Sequence, residues 1–189
     1  KTSIYLFREF KYFTGIKYFM FNKCSNLLAI NLPEHIKNID NECFQSCENL
    51  KNIQIPDSCT KIGDRAFSKC STLETVRIST NCTSIGNSAF NSCTNLKSIN
   101  IPENCIRIGD SIFNRCVSLE NIHIPESCSL IGAYAFNGCG SLQEISLPST
   151  ITRIEKYTFN NCSSLKKIDI PNSVYYIAAN ALTGLGVDT

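Results

Sequence analysis

Phenylalanine recurs at Phe21, Phe44, Phe67, Phe90, Phe113, Phe136 and Phe159, and every step is 23 residues. Cysteine follows three residues later each time, at Cys24, Cys47, Cys70, Cys93, Cys116, Cys139 and Cys162. Leucine follows three later again, at Leu27, Leu50, Leu73, Leu96, Leu119, Leu142 and Leu165. A fourth column holds Ile16, Ile39, Ile62, Ile85, Ile108, Ile131, Ile154 and Ile177. A fixed period of this length, running from residue 4 to 187 without insertion or deletion, is the signature of a repeat architecture.

One unit reads Leu-x-x-Ile-x-Ile-Pro, an apolar residue or Cys, x-x-Ile-Gly, x-x-Ala-Phe, x-x-Cys; residues 96–118 carry it clearly. The Leu-x-x-Ile-x-Ile segment ends in period-2 apolar residues and reads as a short strand. Proline ends it, having no N–H for a ladder. The Cys-x-x-Ile segment is a second short extended stretch. Gly63, Gly86, Gly109 and Gly132 then turn the chain, as residues free to take positive φ. Ala-Phe-x-x-Cys is too short for a helix of several turns and fits a 3₁₀ turn or tight corner. No unit of 23 residues buries enough apolar surface to fold alone, so the units must stack. The expected fold is one β-rich solenoid of about eight rungs, a right-handed superhelix or horseshoe of parallel short strands. Residues 4–26 form an atypical first repeat, 27–164 six regular ones, and 165–189 a drifting last one. The drift shows at Glu9 and Lys17 in the first unit, and at Leu182 and Leu185 in the last.

The unit resembles the BspA-like, treponemal type of leucine-rich repeat, whose consensus is close to Leu-x-x-Ile-x-Ile-Pro-x-Ser-Val-x-x-Ile-Gly-x-x-Ala-Phe-x-x-Cys. "IPDSCTKIGDRAFSKC", "IPENCIRIGDSIFNRC" and "IPESCSLIGAYAFNGC" carry the resemblance best, and "FREFKYFTGIKYFMFNKC" is similar to a variant first repeat. The chain departs from the type at Cys59, Cys82, Cys105 and Cys128, where valine is usual. The resemblance implies a cell-surface or secreted protein that adheres to host proteins or cells, or binds other microbes. It brings no catalytic residues.

Composition supports this and closes other routes. Hydrophobic residues are 43% and charged residues 18%, which excludes a disordered chain. The net charge of +2 excludes a strongly basic nucleic-acid binder. No run approaches 18 apolar residues, so neither a transmembrane helix nor membrane insertion is expected. Residues 1–21 show no signal peptide.

The 12 cysteines first suggest a disulfide scaffold or a metal site. Eleven of them fall in two columns, with Cys43 apart in the alanine column. In-register rungs put Cβ atoms about 4.8 Å apart, whereas a disulfide wants about 3.8 Å. Each ladder thiol also has two equal neighbours. Free buried thiols acting as small hydrophobes are therefore the reading adopted over disulfides in some rungs. Zinc lacks any Cys-x-x-Cys pair.

Catalysis finds no constellation. His35 and His123 are the only imidazoles and read as surface residues. Glu103 and Glu126 follow proline in successive units, a pair that suits a cation but that reads more simply as solvated turns. No nucleophile elbow, phosphate loop or HExxH motif occurs. The chain is read as no enzyme, with no catalytic, cofactor or metal site.

Binding has an architectural basis. The residue between the last two core isoleucines points outward on the strand face. That column is Asn31, Gln54, Arg77, Asn100, His123, Ser146 and Asp169, the expected partner-binding set. A second outward column holds Ala29, Asn52, Thr75, Ser98, Asn121, Glu144 and Lys167. Together they form a polar, varied strip on one continuous sheet, of the kind repeat proteins use for binding. The expected partner is a protein, such as an extracellular-matrix or cell-surface protein of a host, bound by a monomer. Aromatic residues at the ends, Tyr5, Phe10, Tyr12, Tyr18, Phe19, Tyr175 and Tyr176, are an alternative anchor or a capping surface. Lys61, Arg107 and Arg153 make a sparse basic stripe, read as solubilising. Asn81-Cys82-Thr83 and Asn161-Cys162-Ser163 match the N-glycosylation pattern, relevant only in a secreting eukaryote. An intracellular repeat scaffold, which free thiols would tolerate, and a structural spacer within a larger surface protein are the competing functions.

Overall fold

In the computed structural model the described residues are 12–186, together with the backbone of 2–5. The Leu-x-x-Ile-x-Ile segments form strands Leu27–Asn31, Asn52–Gln54, Thr75–Arg77, Ser98–Asn100, Asn121–His123, Glu144–Ser146 and Lys167–Asp169. The second stretches form two-residue strands, from Gly15–Ile16 through Lys61–Ile62 to Tyr176–Ile177. All pairings are parallel, and all but that of the first strand keep the repeat register: Asn52 opposes Thr75, Ile53 opposes Val76, and Gln54 opposes Arg77. Among the described residues there is no helix. The chain winds as a β-solenoid of about seven turns.

The register fails at one place. Strand Thr2–Tyr5 pairs with Leu27–Asn31 by setting Ile4 opposite Ile30 and Tyr5 opposite Asn31, 26 residues apart instead of 23. The unbroken period from residue 4 is therefore corrected. The 23-residue ladder of second strands begins at Gly15 opposite Asn38, and the first unit is three residues longer before that point. Glu9, the sequence's first sign of drift, lies outside the described residues.

The core is a set of vertical columns. Phe21 to Phe159 stack with centroid separations of 5.1 to 5.9 Å. Most neighbouring planes are within 10° of parallel, and Phe113 and Phe136 differ by 22°. Each ring from Phe44 to Phe136 is held from above and below by an identical ring, so burial comes from stacking and not from within a unit.

The corner after each second strand is the tight turn of the two forms expected. Its backbone alternates in direction. Glu42, Phe44 and Ser46 donate their N–H groups forward, to the carbonyls of Asp64, Ala66 and Ser68 at 2.9, 2.8 and 2.8 Å. Gln45 and Cys47 donate within the turn, to Glu42 and Phe44 at 3.3 and 3.1 Å. The alternation needs left-handed residues at two columns. One holds Phe19, Glu42, Arg65, Ser88, Ser111, Tyr134, Tyr157 and Asn180. The other holds Lys23, Ser46, Lys69, Ser92, Arg115, Gly138, Asn161 and Gly184.

Gly63, Gly86, Gly109 and Gly132 are not among the positive-φ residues, which corrects their expected role. They are required for close approach. A Cβ on Gly63 would lie 2.5 Å from Asn41 Oδ1 and 2.6 Å from the Asn41 backbone nitrogen. A Cβ on Gly109 would lie 2.8 Å from Asn87 Oδ1 and 3.2 Å from Asn87 backbone atoms.

Candidate interaction surface

All seven residues of the expected partner-binding column, Asn31, Gln54, Arg77, Asn100, His123, Ser146 and Asp169, are exposed. The isoleucine between each outward pair is buried or nearly so, as Ile53 and Ile99 are, because alternate residues of a strand face opposite sides. In the second column Asn52, Thr75, Ser98, Asn121, Glu144 and Lys167 are exposed, and Ala29 is half-buried.

The strip is not one continuous ladder. Asn52–Gln54 to Asn121–His123 make a four-stranded sheet, and Glu144–Ser146 with Lys167–Asp169 a separate pair. Backbone bonding still crosses the break, from Gln143 N–H to Glu120 O at 3.3 Å. Two shallow depressions lie on this face. One of about 660 Å³ is lined by Gln54, Thr75, Arg77, Ser98, Asn100 and His123, among others. The other, about 430 Å³, opens at the break between sheets and is lined by Asn121, Ile122, His123, Glu144, Ser146 and Lys167, among others. His123 borders both. The exposed edges of the strand isoleucines are a contribution that alternation alone had assigned wholly to the core.

Charges on the strip are met by neighbours on the adjoining rung or on the same strand. Arg77 Nη2 stands 3.9 Å from Asp57 Oδ2, and His123 Nε2 stands 3.5 Å from Glu103 Oε1. Asn100 bonds the Ile78 backbone twice, donating from Nδ2 to O and accepting at Oδ1 from N, both at 3.3 Å. Lys167 Nζ lies 3.1 Å from Asp169 Oδ2, and Ser146 donates to the same oxygen at 3.0 Å. The bond from Lys167 first, then that from Ser146, holds the Asp169 carboxyl below the usual carboxylate range. The side chains of Asn31 and Gln54 have no hydrogen-bond partner among the described residues.

The other candidates separate. Glu103 faces His123, whereas Glu126 Oε2 accepts from the N–H and Oγ of Ser149 at 3.1 and 2.9 Å, so the two carboxylates serve different rungs. Among the described residues no group of three His, Cys, Asp or Glu side chains is placed to hold a metal ion. His35 is exposed in its loop. Arg153 of the basic stripe pairs with Glu155 at 3.1 Å and lies over the Tyr176 ring at 4.3 Å. Tyr12, Tyr18 and Phe19 are exposed at one end and Tyr175 and Tyr176 at the other. Phe10 and the side chain of Tyr5 lie outside the described residues.

All twelve cysteines are free thiols, and all but Cys24 are buried. They hold hydrogen, which a small-hydrophobe reading had left out. In the Phe-x-x-Cys column each thiol from Cys47 to Cys162 donates to the phenylalanine carbonyl one rung back, as Cys47 does to Phe21 O and Cys116 to Phe90 O, both at 3.1 Å. In the other column the thiol donates within its own rung, as Cys105 does to Arg107 O at 3.1 Å. A further ladder was missed. Asn41, Asp64, Asn87 and Asp110 each accept, at Oδ1, the backbone N–H of the residue one rung on, at 2.8 to 3.0 Å. The Gly-Asx dipeptides at 63–64, 86–87 and 109–110 were its visible signal.

The comparisons with known proteins agree with this geometry. The family model described as BspA type leucine-rich repeat region matches residues 14–139 and 85–187, in six copies. The chain is similar to a leucine-rich repeat protein of Bacteroides ovatus, at 33% identity and a TM-score of 0.71, over 87% of this chain and 48% of that one. It is similar to a leucine-rich repeat protein of Eubacterium ventriosum, at 28% identity and a TM-score of 0.76, over 83% and 42%. A leucine-rich repeat protein of T. pallidum matches at 27% identity and a TM-score of 0.77, over 79% of this chain and 73% of that one. The chain thus spans about half the length of the first two. Among curated proteins no relative is found. No helix of the described residues is long and apolar enough to cross a membrane.

Proposed function

Because the chain belongs to the BspA-type leucine-rich repeat family, we propose that it is a non-enzymatic protein-binding module, using the polar strand face. The partner is a protein, bound across Gln54, Arg77, Asn100 and His123, with Asn31, Ser146 and Asp169 extending the contact. The observation that carries this reading is the alignment of exposed, chemically different side chains around two adjoining depressions. Every rung offers the partner a new pair of side chains at the strand spacing, so specificity is written along the stack. The strip lacks Trp and Tyr, so its affinity draws on Arg77 and on hydrogen bonds, not on aromatic anchors.

Location at the cell surface or in secretion, and adhesion to an extracellular-matrix or cell-surface protein of a host, belong to the same proposal and rest on the family. The test is a pull-down from matrix extract with this chain and with a variant carrying Arg77→Ala, Asn100→Ala and His123→Ala. A protein retained by the first and lost from the second supports the proposal. Equal retention by both sinks it.

A further inference from the structure

The two sheet faces of the solenoid carry charge differently. On the strand face Arg77, His123 and Lys167 are interspersed with Glu144 and Asp169. The second-strand face presents two outward columns, residues 37, 60, 83, 106, 129, 152 and 175 and the residue after each. Neither column holds an aspartate or a glutamate. Its four cations, Lys37, Lys61, Arg107 and Arg153, are all exposed. Among the described residues Lys37, Lys61 and Arg107 have no carboxylate within ion-pair distance, and Arg153 has Glu155 at 3.1 Å. Four bordering carboxylates are engaged elsewhere. Asp57 meets Arg77 at 3.9 Å and Glu103 meets His123 at 3.5 Å, both toward the strand face. Asp64 and Asp110 accept backbone N–H groups of the next rung at 2.8 and 3.0 Å, toward the corner. A lane of uncompensated positive charge therefore runs along the stack.

The lane has a pitch. Lys61, Arg107 and Arg153 stand two rungs apart in one column. At the strand spacing this sets their backbones about 10 Å apart. Each of the three sheets of second strands carries one of them. Between the cations the hydroxyls of Thr60, Thr83 and Ser129 lean on the carbonyl one rung back at 3.4 Å, and their oxygens remain free to accept. Ile106, 63% exposed beside Arg107, adds an apolar spot.

We propose that the second-strand face binds a linear acidic polysaccharide, sulfated or carboxylated, laid along the stack across Lys37, Lys61 and Arg107 with Arg153 at the end of the track. The pitch selects the partner. A nucleic-acid strand carries a phosphate about every 3.4 Å, so most of its charges would meet no cation here. A polysaccharide with one acidic group per disaccharide repeats its charge every two sugar rings, a pitch comparable to two rungs. The remaining surface suits sugar as well. Hydroxyls between the cations accept from ring hydroxyls, and Ile106 packs on the C–H face of a ring. Lysine and arginine supply charge-assisted bonds to sulfate or carboxylate. A merely solubilising stripe needs neither the absence of carboxylates nor the fixed pitch.

The experiment is calorimetric titration of the chain, at low salt, with hyaluronan and chondroitin sulfate oligosaccharides long enough to reach from Lys61 to Arg153. Binding of the first alone assigns the carboxylate, and tighter binding of the second assigns the sulfate. Lys61→Ala with Arg107→Ala should weaken binding by about tenfold or more. Lys51→Ala with Lys97→Ala makes the same change in net charge from exposed sites on another column, and should cost about twofold or less. Arg77→Ala with His123→Ala should leave the affinity within about twofold, which separates this face from the protein-binding strip. Four outcomes overturn the proposal: no binding of either oligosaccharide, equal loss in the two variants of matched charge, loss with Arg77→Ala and His123→Ala instead, or a DNA single strand of like length bound as tightly as the polysaccharide.

Discussion

The thiol of Cys70 donates to the carbonyl oxygen of Phe44 at 3.1 Å, across 26 residues and one rung of the solenoid. The same carbonyl accepts the N–H of Cys47 at 3.1 Å, so its two lone pairs serve the two rungs it joins. The column repeats this bond at Cys93, Cys116, Cys139 and Cys162. A thiol here is both a small apolar filler and a donor to a buried backbone group.

The two cysteine columns should respond differently to valine. Cys105 bonds only Arg107 O of its own rung, and Ile36 and Ile151 occupy the same column elsewhere in the chain. Cys105→Val should change stability by less than about 1 kcal/mol, as a near volume-conserving swap. Cys93→Val removes the donor to Phe67 O and puts a branched side chain in a fully buried site. It should destabilise by about 1–3 kcal/mol. Urea unfolding of both variants decides the matter, and equal effects would remove the inter-rung thiol bond from the account.

Burial also makes stability fall in alkali. Eleven thiols are raised, chiefly by burial, with Cys43, Cys47, Cys82, Cys116 and Cys162 pushed up to about 12. Unfolded thiols release their protons near about 8.5. Between that pH and the folded value the native state holds more protons than the unfolded one, so stability falls as pH rises. Each such thiol contributes a slope of up to about 1.4 kcal/mol per pH unit. Below about pH 8 the contribution is fully present. Unfolding midpoints in reductant should therefore be nearly flat from about pH 7 to 8 and drop steeply toward about pH 10. A midpoint that holds steady to pH 10 would contradict the buried-thiol structure.

Glycine and left-handed residues give opposite substitution effects a few positions apart. Gly63→Ala drives a Cβ into the Asn41 backbone, within 2.6 Å of its nitrogen, and should destabilise by about 1–3 kcal/mol. Lys69 sits at φ 63°, in the column where Gly138 and Gly184 already occur. Lys69→Gly should be neutral to stabilising, by up to about 1 kcal/mol, because the left-handed conformation strains any residue with a Cβ. Thermal unfolding of the two variants should shift in opposite directions. A common direction would mean that the corner is not held as described.

The same corner shows what the sequence made legible and what it did not. Core columns were readable because burial selects one residue type, so Phe21 to Phe159 and their partners repeat visibly. The glycine column was readable as a column but not in its cause, since positive φ and close approach both favour a residue without a Cβ. The left-handed columns were invisible. Phe19, Glu42, Arg65, Ser88 and Tyr134 share a backbone conformation and no side-chain chemistry. The inter-rung hydrogen bond enforces that conformation, so no residue preference is left to read. The strip was legible by alternation alone, as the exposure of all seven residues shows. Its two depressions were not, because the break after Asn121–His123 depends on how neighbouring rungs meet.

The depressions give the binding proposal its sharpest test. Arg77 and Asn100 line only the larger one, Glu144 and Lys167 only the smaller, and His123 both. None of the five is buried, so their loss should leave the unfolding midpoint within about 0.5 kcal/mol of the parent. Partner affinity should respond unevenly. A partner centred on the larger depression should lose about tenfold or more with Arg77→Ala and His123→Ala, arginine being a frequent anchor. Glu144→Ala and Lys167→Ala should then cost about threefold or less, as rim contacts do. Lys61→Ala and Arg107→Ala, on the second-strand stripe, should leave affinity unchanged. Titration of each variant against one purified partner gives the pattern. Loss confined to Lys61 and Arg107 would move the site off the strand face.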